Sequence, residues 1–305
     1  MDRHSVTWEG NFNAVVTPFA ADGSVDAEKF VRNLTLLIDE GIDGLVVTGC
    51  TGEFWALDRR ERIELYRLAV ATAAGRVPVI CGTSAIRTSE VIELSRAAET
   101  AGAQGVMITP PFYALPSPRE IAAHYQTISD QIGLPILVYN IPKRQAVGIG
   151  PELLQRLADV DKVVAIKQSA PSFDDVTQAV ALVGDRIRIF AGHSVTRGFP
   201  AIAMGCDGYV SSVEPQVMGR EAIELFRLSR RGDVAAARAL QYRCIALDEA
   251  IHGVGTFPAS LKAAMNLVGR PGGYPREPLL PLTAEEQQRL ERVLTALGLL
   301  AAVPS

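Results

Sequence analysis

The chain has 305 residues, a length at which α/β barrels often occur as one domain. Apolar residues make up 48% of it and charged residues 21%, a balance typical of globular proteins. The net charge is −4, and lysine and arginine form no run or stripe. This argues against a nucleic-acid partner, because phosphate binding needs clustered positive charge. No apolar run reaches the roughly 18 residues of a membrane span, and the first residues lack a signal peptide's apolar core.

The cysteines indicate neither a disulfide framework nor a metal site. The four are Cys50, Cys81, Cys206 and Cys244, with no Cys-x-x-Cys pair and no ligand spacing with the four histidines. A reducing compartment fits this pattern, since disulfide-stapled proteins are mostly extracellular. We therefore predict a cytoplasmic protein without a metal or another cofactor.

Short β-rich runs alternate with longer amphipathic stretches along most of the chain. Most of the runs are continuously apolar, as expected of parallel strands that are buried on both faces. The predicted strands are residues 14–17, 44–48, 78–81, 105–109, 136–139, 163–166, 187–190 and 208–210. The predicted helices are residues 26–40, 58–74, 89–101, 118–132, 151–158, 174–183, 196–204 and 215–231.

Eight strand–helix units in strict alternation predict an α/β fold, a closed (β/α)8 TIM barrel. An open doubly wound sheet is the alternative. It would usually carry a glycine-rich loop after the first strand, where this chain has Thr17-Pro18-Phe19. Further helical segments follow at residues 234–250, 257–267 and 284–297. We therefore predict a catalytic barrel over residues 1–232 and a C-terminal helical appendage over residues 233–305.

The C-terminal ends of the strands are where a barrel places its catalytic groups. One lysine stands there, Lys167, directly after the apolar run 163–166. Poor solvation disfavours the ammonium form and lowers the pKa, and the neutral amine can attack a ketone to form an imine. The alternative is a strand-end lysine that extends to solvent.

Tyr139 ends the preceding strand. Because adjacent strands lie about 5 Å apart, its phenol can reach the amine of Lys167 and shuttle protons. The alternative is a core tyrosine whose hydroxyl is satisfied by the backbone. No cluster of histidines and carboxylates accompanies the pair, which argues against a metal-dependent enzyme.

Two further features suggest binding of carboxylates. The segment Gly49-Cys50-Thr51-Gly52-Glu53 follows the second strand, where its glycines allow close approach to a ligand and its N–H groups can form an anion nest. Thr51 adds a hydroxyl. Arg144 follows Tyr139 on the same loop and can grip a second carboxylate. An ordinary turn and a solvated surface arginine are the alternatives.

Together these segments resemble the dihydrodipicolinate synthase/N-acetylneuraminate lyase family of class I aldolases. The resemblance covers nearly the whole chain and is most specific in Tyr-Asn-Ile-Pro at residues 139–142 and in Ile166-Lys167. The other matching segments lie at residues 16–19, 49–53, 78–82, 109–113, 261–262 and 276–282.

The resemblance implies a role for the residues at the strand ends. Lys167 would form a Schiff base with pyruvate or another 2-oxo acid, and Tyr139 would be the general acid/base. Thr51, with Gly49 and Cys50, would bind the pyruvate carboxylate and relay protons.

The resemblance also implies how the second substrate and the subunits are arranged. Arg144 stands where the synthases place a carboxylate-binding arginine, and His193 and Val210 would line the substrate site. Tyr113 corresponds to the tyrosine that, in the synthases, reaches into the neighbouring subunit's site. This implies a homotetramer built from tight dimers, with a small-molecule substrate.

Several residues depart from the synthase pattern. Cys50 replaces the relay hydroxyl, and a thiol is a weaker hydrogen-bonding group. Phe54 and Trp55 are bulky where many synthases have small residues. Gln168 replaces a common glutamate, and His193 stands where acidic residues are found in relatives. These departures leave the second substrate open.

Four functions compete. The first is a 4-hydroxy-tetrahydrodipicolinate synthase-like enzyme that condenses pyruvate with aspartate semialdehyde, which Arg144 favours. The second is an aldolase or dehydratase of 2-oxo-3-deoxy sugar acids or hydroxy-2-oxo acids, which Cys50 and His193-Ser194 favour. A non-catalytic barrel that only binds an oxo acid is the third, and the intact Lys167 and Tyr139 argue against it. The fourth, a metal-dependent aldolase, lacks a visible ligand set.

Overall fold

The computed structural model describes residues 1–300. Parallel strands form a closed barrel in sequence order, with β1 hydrogen-bonded to both β2 and β8. The strands are β1 (Gly10–Ala14), β2 (Gly44–Val47), β3 (Val79–Gly82), β4 (Gly105–Ile108), β5 (Ile136–Asn140), β6 (Val163–Gln168), β7 (Arg188–Ala191) and β8 (Gly208–Ser211). The prediction of a TIM barrel is confirmed.

Helices surround the barrel and continue after its last strand. They are α1 (Ala27–Glu40), α2 (Arg59–Ala73), α3 (Thr88–Ala101), α4 (Pro118–Ser129), α5 (Pro142–Gln145), α6 (Pro151–Leu157), α7 (Asp174–Val183), α8 (Ser194–Ala203), α9 (Glu214–Met218), α10 (Arg220–Arg230), α11 (Val234–His252), α12 (Ala259–Leu267) and α13 (Ala284–Ala296). Among residues 1–300, no helix has both the length and the apolar character needed to cross a membrane.

Aromatic side chains pack against each other inside the barrel. The rings of Phe12 and Phe190 meet there with their centroids 5.0 Å apart. Gly44 leaves the space, since a Cβ at that position would come within 2.7 Å of the Phe12 ring. These rings belong to an apolar cluster that fills the barrel interior and extends up to Tyr139.

The first strand lies earlier than predicted, at Gly10–Ala14 instead of residues 14–17. Its pattern is hidden because Asn11 and Asn13 alternate with apolar residues, although both asparagines are fully buried. They close the barrel against β8: Asn13 Nδ2 donates to Ser211 Oγ at 3.0 Å, and Ser211 Oγ donates to Asn11 Oδ1 at 2.5 Å. One side-chain atom of each asparagine thus has a partner, and a buried amide of this kind is not revealed by apolar patterning alone.

The predicted helix 215–231 is two helices, α9 and α10. The chain turns between them at Gly219, whose φ of 63° and ψ of −137° favour glycine. A short helix that was not predicted, α5, follows β5 directly and begins at Pro142.

The C-terminal helices pack on the last part of the barrel. α11 lies against α8 and α10. Gln241 joins α11 to α8, because its Nε2 donates to the Ser194 carbonyl at 3.0 Å and its Oε1 accepts from the Phe199 N–H at 2.8 Å. The far end of α11 therefore lies near the loops that follow β7 and β8. The proposed division at residue 232 stays a prediction.

Candidate active site

Tyr139 and Lys167 lie side by side at the C-terminal end of the barrel interior. The two residues are partners in the register of β5 and β6. The Nζ atom of Lys167 is 4.1 Å from the centroid of the Tyr139 ring. Only 7% of Lys167 and 4% of Tyr139 is exposed, so neither side chain extends to solvent. The alternative of a solvated strand-end lysine is therefore wrong.

Both strands run further than predicted, which holds the pair inside regular structure. β5 and β6 continue to Asn140 and Gln168, and the Asn140 Nδ2 donates to the Gln168 Oε1 at 2.7 Å. This hydrogen bond joins β5 to β6 one residue after Tyr139 and Lys167. A backbone held on both sides fixes the direction in which Lys167 and Tyr139 point.

Burial sets the protonation of both groups. It lowers the pKa of Lys167 to about 8. It raises the pKa of Tyr139 well above its ordinary value. The amine is therefore accessible in its neutral form near neutral pH, while the phenol keeps its proton.

The loop after β2 forms one wall of the cavity above Lys167. Cys50 and Thr51 line this cavity, which has a volume of about 310 Å³. Burial also raises the pKa of the Cys50 thiol, so the thiol stays neutral beside Tyr139. Gly49 lies against Met107 instead: a Cβ there would come within 3.0 Å of the Met107 methyl group.

The glycine that follows Thr51 serves the packing of the loop itself. A Cβ on Gly52 would come within 3.1 Å of Thr48 and 3.2 Å of the Val15 carbonyl oxygen. The carbonyl of Gly52 accepts a hydrogen bond from the Thr17 Oγ1 at 2.8 Å. Close approach is thus needed at this glycine, but the contact is with the chain's own backbone.

A cationic wall comes from α5, the helix directly after β5. Lys143 and Arg144 both line the cavity. The guanidinium carbon of Arg144 lies 5.7 Å from the centroid of the Trp55 ring, within the range of a cation–π contact. The bulky Trp55 therefore orients the arginine, which gives this departure from the synthase pattern a physical role.

Hydroxyl groups form another part of the lining. Ser169, Ser194 and Ser212 line the cavity together with His193 and Val210. The backbone of His193 is left-handed, with a φ of 53°, and burial lowers the pKa of its imidazole. Ser169 was not predicted, although it directly follows β6, whereas Ser194 belongs to the His193-Ser194 segment already identified from the sequence.

One more wall comes from outside the barrel. Asp248 and His252 of α11, with Phe257 beyond it, complete the lining. Nothing local in the sequence links them to Lys167, because only the packing of α11 on α8 brings them over the strand ends. Within residues 1–300, no three histidine, cysteine or acidic side chains are grouped as a metal site would need.

Tyr113 lies outside this cavity. Its side chain is 90% exposed, and its backbone is left-handed with a φ of 68°. The neighbouring Phe112 packs on Phe54 with ring centroids 6.0 Å apart. Within one chain, Tyr113 therefore does not cover its own barrel. Leu115, two residues later on the same loop, is exposed as well.

Comparisons with known proteins agree with this geometry. The sequence profile of the dihydrodipicolinate synthetase family matches residues 7–297. The 4-hydroxy-tetrahydrodipicolinate synthase 1 of Halalkalibacterium halodurans is 37% identical over 91% of this chain and 93% of its own. The corresponding enzyme of Pelobacter propionicus is 35% identical over 96% of this chain and 100% of its own.

Solved structures show the same likeness. Dihydrodipicolinate synthase from Aquifex aeolicus superposes with a TM-score of 0.90, at 32% identity, over 96% of this chain and 99% of that one. YagE from Escherichia coli, a prophage protein of the dihydrodipicolinic acid synthase family solved in complex with pyruvate, has a TM-score of 0.91 at 28% identity. That match covers 97% of this chain and 100% of YagE.

Proposed function

Since this chain belongs to the dihydrodipicolinate synthetase family of class I, Schiff-base-forming lyases, we propose that Lys167 is the residue that holds pyruvate as an imine. The single observation that carries this proposal is the pairing of a buried Lys167 amine with the phenol of Tyr139, 4.1 Å from the ring centroid. Burial lowers the pKa of that amine to about 8, which favours the nucleophilic form.

The chemistry follows from these two groups. The neutral Nζ of Lys167 adds to the C2 carbonyl of pyruvate, and the carbinolamine loses water to form the imine. The methyl carbon then loses a proton to give an enamine. This carbon forms a bond to the aldehyde carbon of the acceptor, whose oxygen takes up a proton. The phenol of Tyr139, kept protonated by burial, carries protons in these steps, and Cys50 and Thr51 extend its path toward the cavity.

We propose aspartate semialdehyde as the acceptor, which makes the enzyme a 4-hydroxy-tetrahydrodipicolinate synthase. The synthase of that name from Halalkalibacterium halodurans is 37% identical to this chain over 91% of its residues. Arg144 lines the cavity and would bind the acceptor's carboxylate.

A second candidate within the family is an aldolase or dehydratase of 2-oxo-3-deoxy sugar acids. Ser169 and Ser212 favour it, because hydroxyl groups both donate to and accept from a hydroxylated chain. His193 adds a further polar group on the same side.

The assembly that we propose is a homotetramer of tight dimers, with Tyr113 completing the neighbour's site. The exposure of Tyr113 and Leu115, on the apolar loop that follows β4, supports this, since an exposed apolar segment marks a contact surface. The cysteines of the described chain are all free, which supports a cytoplasmic location.

Borohydride trapping tests the nucleophile. Pyruvate and borohydride should add a stable amine adduct to Lys167, located by peptide mass spectrometry, and Lys167→Arg should prevent it. Lys162→Arg is the matched control, because it changes a lysine just before the same strand and outside the cavity. In this variant Lys167 should still be labelled. An unmodified Lys167 after full treatment contradicts the proposal. Turnover of pyruvate with aspartate semialdehyde, compared with a panel of 2-oxo-3-deoxy acids, decides between the two candidate reactions.

A further inference from the structure

The proposed chemistry leaves one wall of the cavity without a role. Asp248 and His252 lie one turn apart on α11, outside the barrel strands, and both line the cavity that contains Lys167. Among the cavity-lining residues in the described chain, Asp248 is the only aspartate or glutamate. Its side chain is mostly buried, with 22% exposed.

His252 holds this carboxylate in place. The Nδ1 of His252 is 3.1 Å from the Asp248 Oδ1 and 3.1 Å from the backbone carbonyl of Asp248. Its ring stacks on Phe257, with centroids 5.2 Å apart and an interplanar angle of 10°. The imidazole is therefore fixed in its plane, and its N–H is directed at Asp248. The carboxylate in turn raises the pKa of His252.

The other charges of the cavity are cationic. Lys143 and Arg144 lie on the wall formed by α5, and Lys167 lies at the base. Lys143 is close enough to His252 to oppose the rise in the imidazole's pKa. The Asp248 carboxylate thus shares a small cavity with two exposed cations, Lys143 and Arg144. This arrangement is complementary to a ligand that carries both a negative and a positive charge.

We propose that Asp248 is a specificity-determining residue of the acceptor subsite, where it binds a hydrogen-bond donor on the carbon that bears the acceptor's carboxylate, and that His252 is its positioning residue. The inference deepens the proposed function and rests on it. Arg144 and Lys143 would take the carboxylate of the acceptor, and Asp248 would take the ammonium of an amino aldehyde. A hydroxyl on the same carbon offers the same donor without the charge.

The strength of this contact sets the expected effect. A hydrogen bond in which both partners are charged contributes more than a neutral one, because the opposite charges attract each other and a confined site screens that attraction less than water does. Its removal from an acceptor subsite is expected to lower kcat/KM by about 10- to 100-fold. An acceptor that lacks the donor has no such contact to lose.

The test compares Asp248→Asn with wild type on three acceptors that differ only at this carbon. These are aspartate semialdehyde with an ammonium, its 2-hydroxy analogue, and succinate semialdehyde with neither. The variant should lose about 10- to 100-fold in kcat/KM with aspartate semialdehyde and less than threefold with succinate semialdehyde. If kcat/KM also falls with the 2-hydroxy analogue, Asp248 recognises the hydrogen-bond donor. If it falls only with aspartate semialdehyde, Asp248 recognises the positive charge of the ammonium.

Controls separate this inference from the function on which it rests. Glu249→Gln removes an equal charge from the exposed side of α11 and should leave all three values unchanged. Borohydride trapping of pyruvate on Lys167 should be the same in wild type and Asp248→Asn. Absence of trapping in the wild type overturns the proposed function. Three results, each obtained while trapping is intact, overturn the role of Asp248. The first is an equal loss of kcat/KM for all three acceptors in Asp248→Asn, and the second is no loss for any of them. The third is a wild-type enzyme that does not prefer aspartate semialdehyde to succinate semialdehyde.

The positioning role of His252 has its own measurement. His252→Leu removes the donor to Asp248 and should raise the KM for aspartate semialdehyde several-fold while kcat stays near the wild-type value. His252→Asn places an amide N–H near the position of Nδ1 and should restore most of the KM. If His252→Leu and His252→Asn change kcat and KM to the same extent as each other, His252 only supports the fold.

Discussion

The carboxylate of Glu53 and the ammonium of Lys262 form a fully buried ion pair that links the Thr51 loop to the C-terminal helices. Lys262 Nζ also donates to the Tyr274 carbonyl at 2.9 Å, and the N–H of Arg276 donates to Glu53 Oε2 at 3.3 Å. Glu53 follows Thr51 by two residues. The loop that lines the active site is therefore held from behind by residues more than 200 positions away in sequence.

Replacing Lys262 with methionine leaves Glu53 buried without its counter-charge. We expect the free energy of unfolding, measured in urea, to fall by about 3–5 kcal/mol, the range for breaking one side of a buried pair. Lys29→Met is the control, since the Lys29–Asp26 pair is partly exposed and such pairs contribute about 1 kcal/mol or less. A loss below about 1 kcal/mol for Lys262→Met would show that the pair contributes little.

Imine formation should accelerate as the pH rises toward 8. Burial lowers the pKa of Lys167 to about 8, so the neutral amine is a minor species at pH 6 and the major species above pH 8. The rate of trapping at saturating borohydride, measured from pH 6 to 9.5, should therefore rise and then level off. Glu214→Gln is the control, because the Glu214 carboxyl has a pKa of about 7 and therefore titrates in the same pH range. A flat profile in wild type would disprove the assignment.

Glu214 should make the protein less stable as the pH rises. Its carboxyl is 1% exposed, accepts from the Ser194 Oγ at 2.5 Å, and has its pKa raised by burial from 4.5 to about 7. The folded state thus keeps a proton that the unfolded chain loses near pH 4.5. Stability from this group is unaffected below pH 4.5, declines between about 4.5 and 7, and stays low above 7.

The variant Glu214→Gln removes this titration and keeps an acceptor for Ser194. Its unfolding free energy relative to wild type should therefore increase between pH 5 and pH 8, by at most about 3 kcal/mol. Denaturant titrations at the two pH values measure the difference. Glu249→Gln, an exposed change on α11, should show no such trend. A Glu214→Gln profile parallel to that of wild type would mean that the carboxyl does not titrate in this range.

Tyr113 should act on the neighbouring subunit's site. We expect that Tyr113→Phe subunits mixed with Lys167→Ala subunits, under conditions that allow exchange, recover activity that neither variant has alone. One site of each mixed dimer would then carry neither lesion, because a two-fold interface completes both sites at once. The side chain's 90% exposure in the single chain is the motive for this expectation.

Two measurements accompany the mixing experiment. Native mass spectrometry establishes that mixed dimers have formed, and a mixture of Tyr113→Phe with wild type gives the reference activity. Mixed dimers without recovered activity would place Tyr113 in its own chain's site or outside the reaction.

Sequence alone determined the parts of this protein that depend on local pattern. Alternating apolar runs and amphipathic stretches predicted the barrel, because each strand and helix must bury a face of its own. The positions of Lys167 and Tyr139 at neighbouring strand ends followed from the same alternation, since parallel strands bring their carboxyl ends to one edge. Their catalytic roles stay predictions.

Tertiary structure alone decided what depends on contacts between distant segments. The strand at Gly10–Ala14 escaped prediction because the side chains of Asn11 and Asn13 hydrogen-bond to Ser211, about 200 residues later. The placement of Asp248 over Lys167 depends on how α11 packs on α8, and no local pattern encodes the direction in which a helix docks. A side chain's burial, and with it the pKa of Lys167, is a property of everything packed around it, which is why the sequence predicted the lysine and only the fold showed its surroundings.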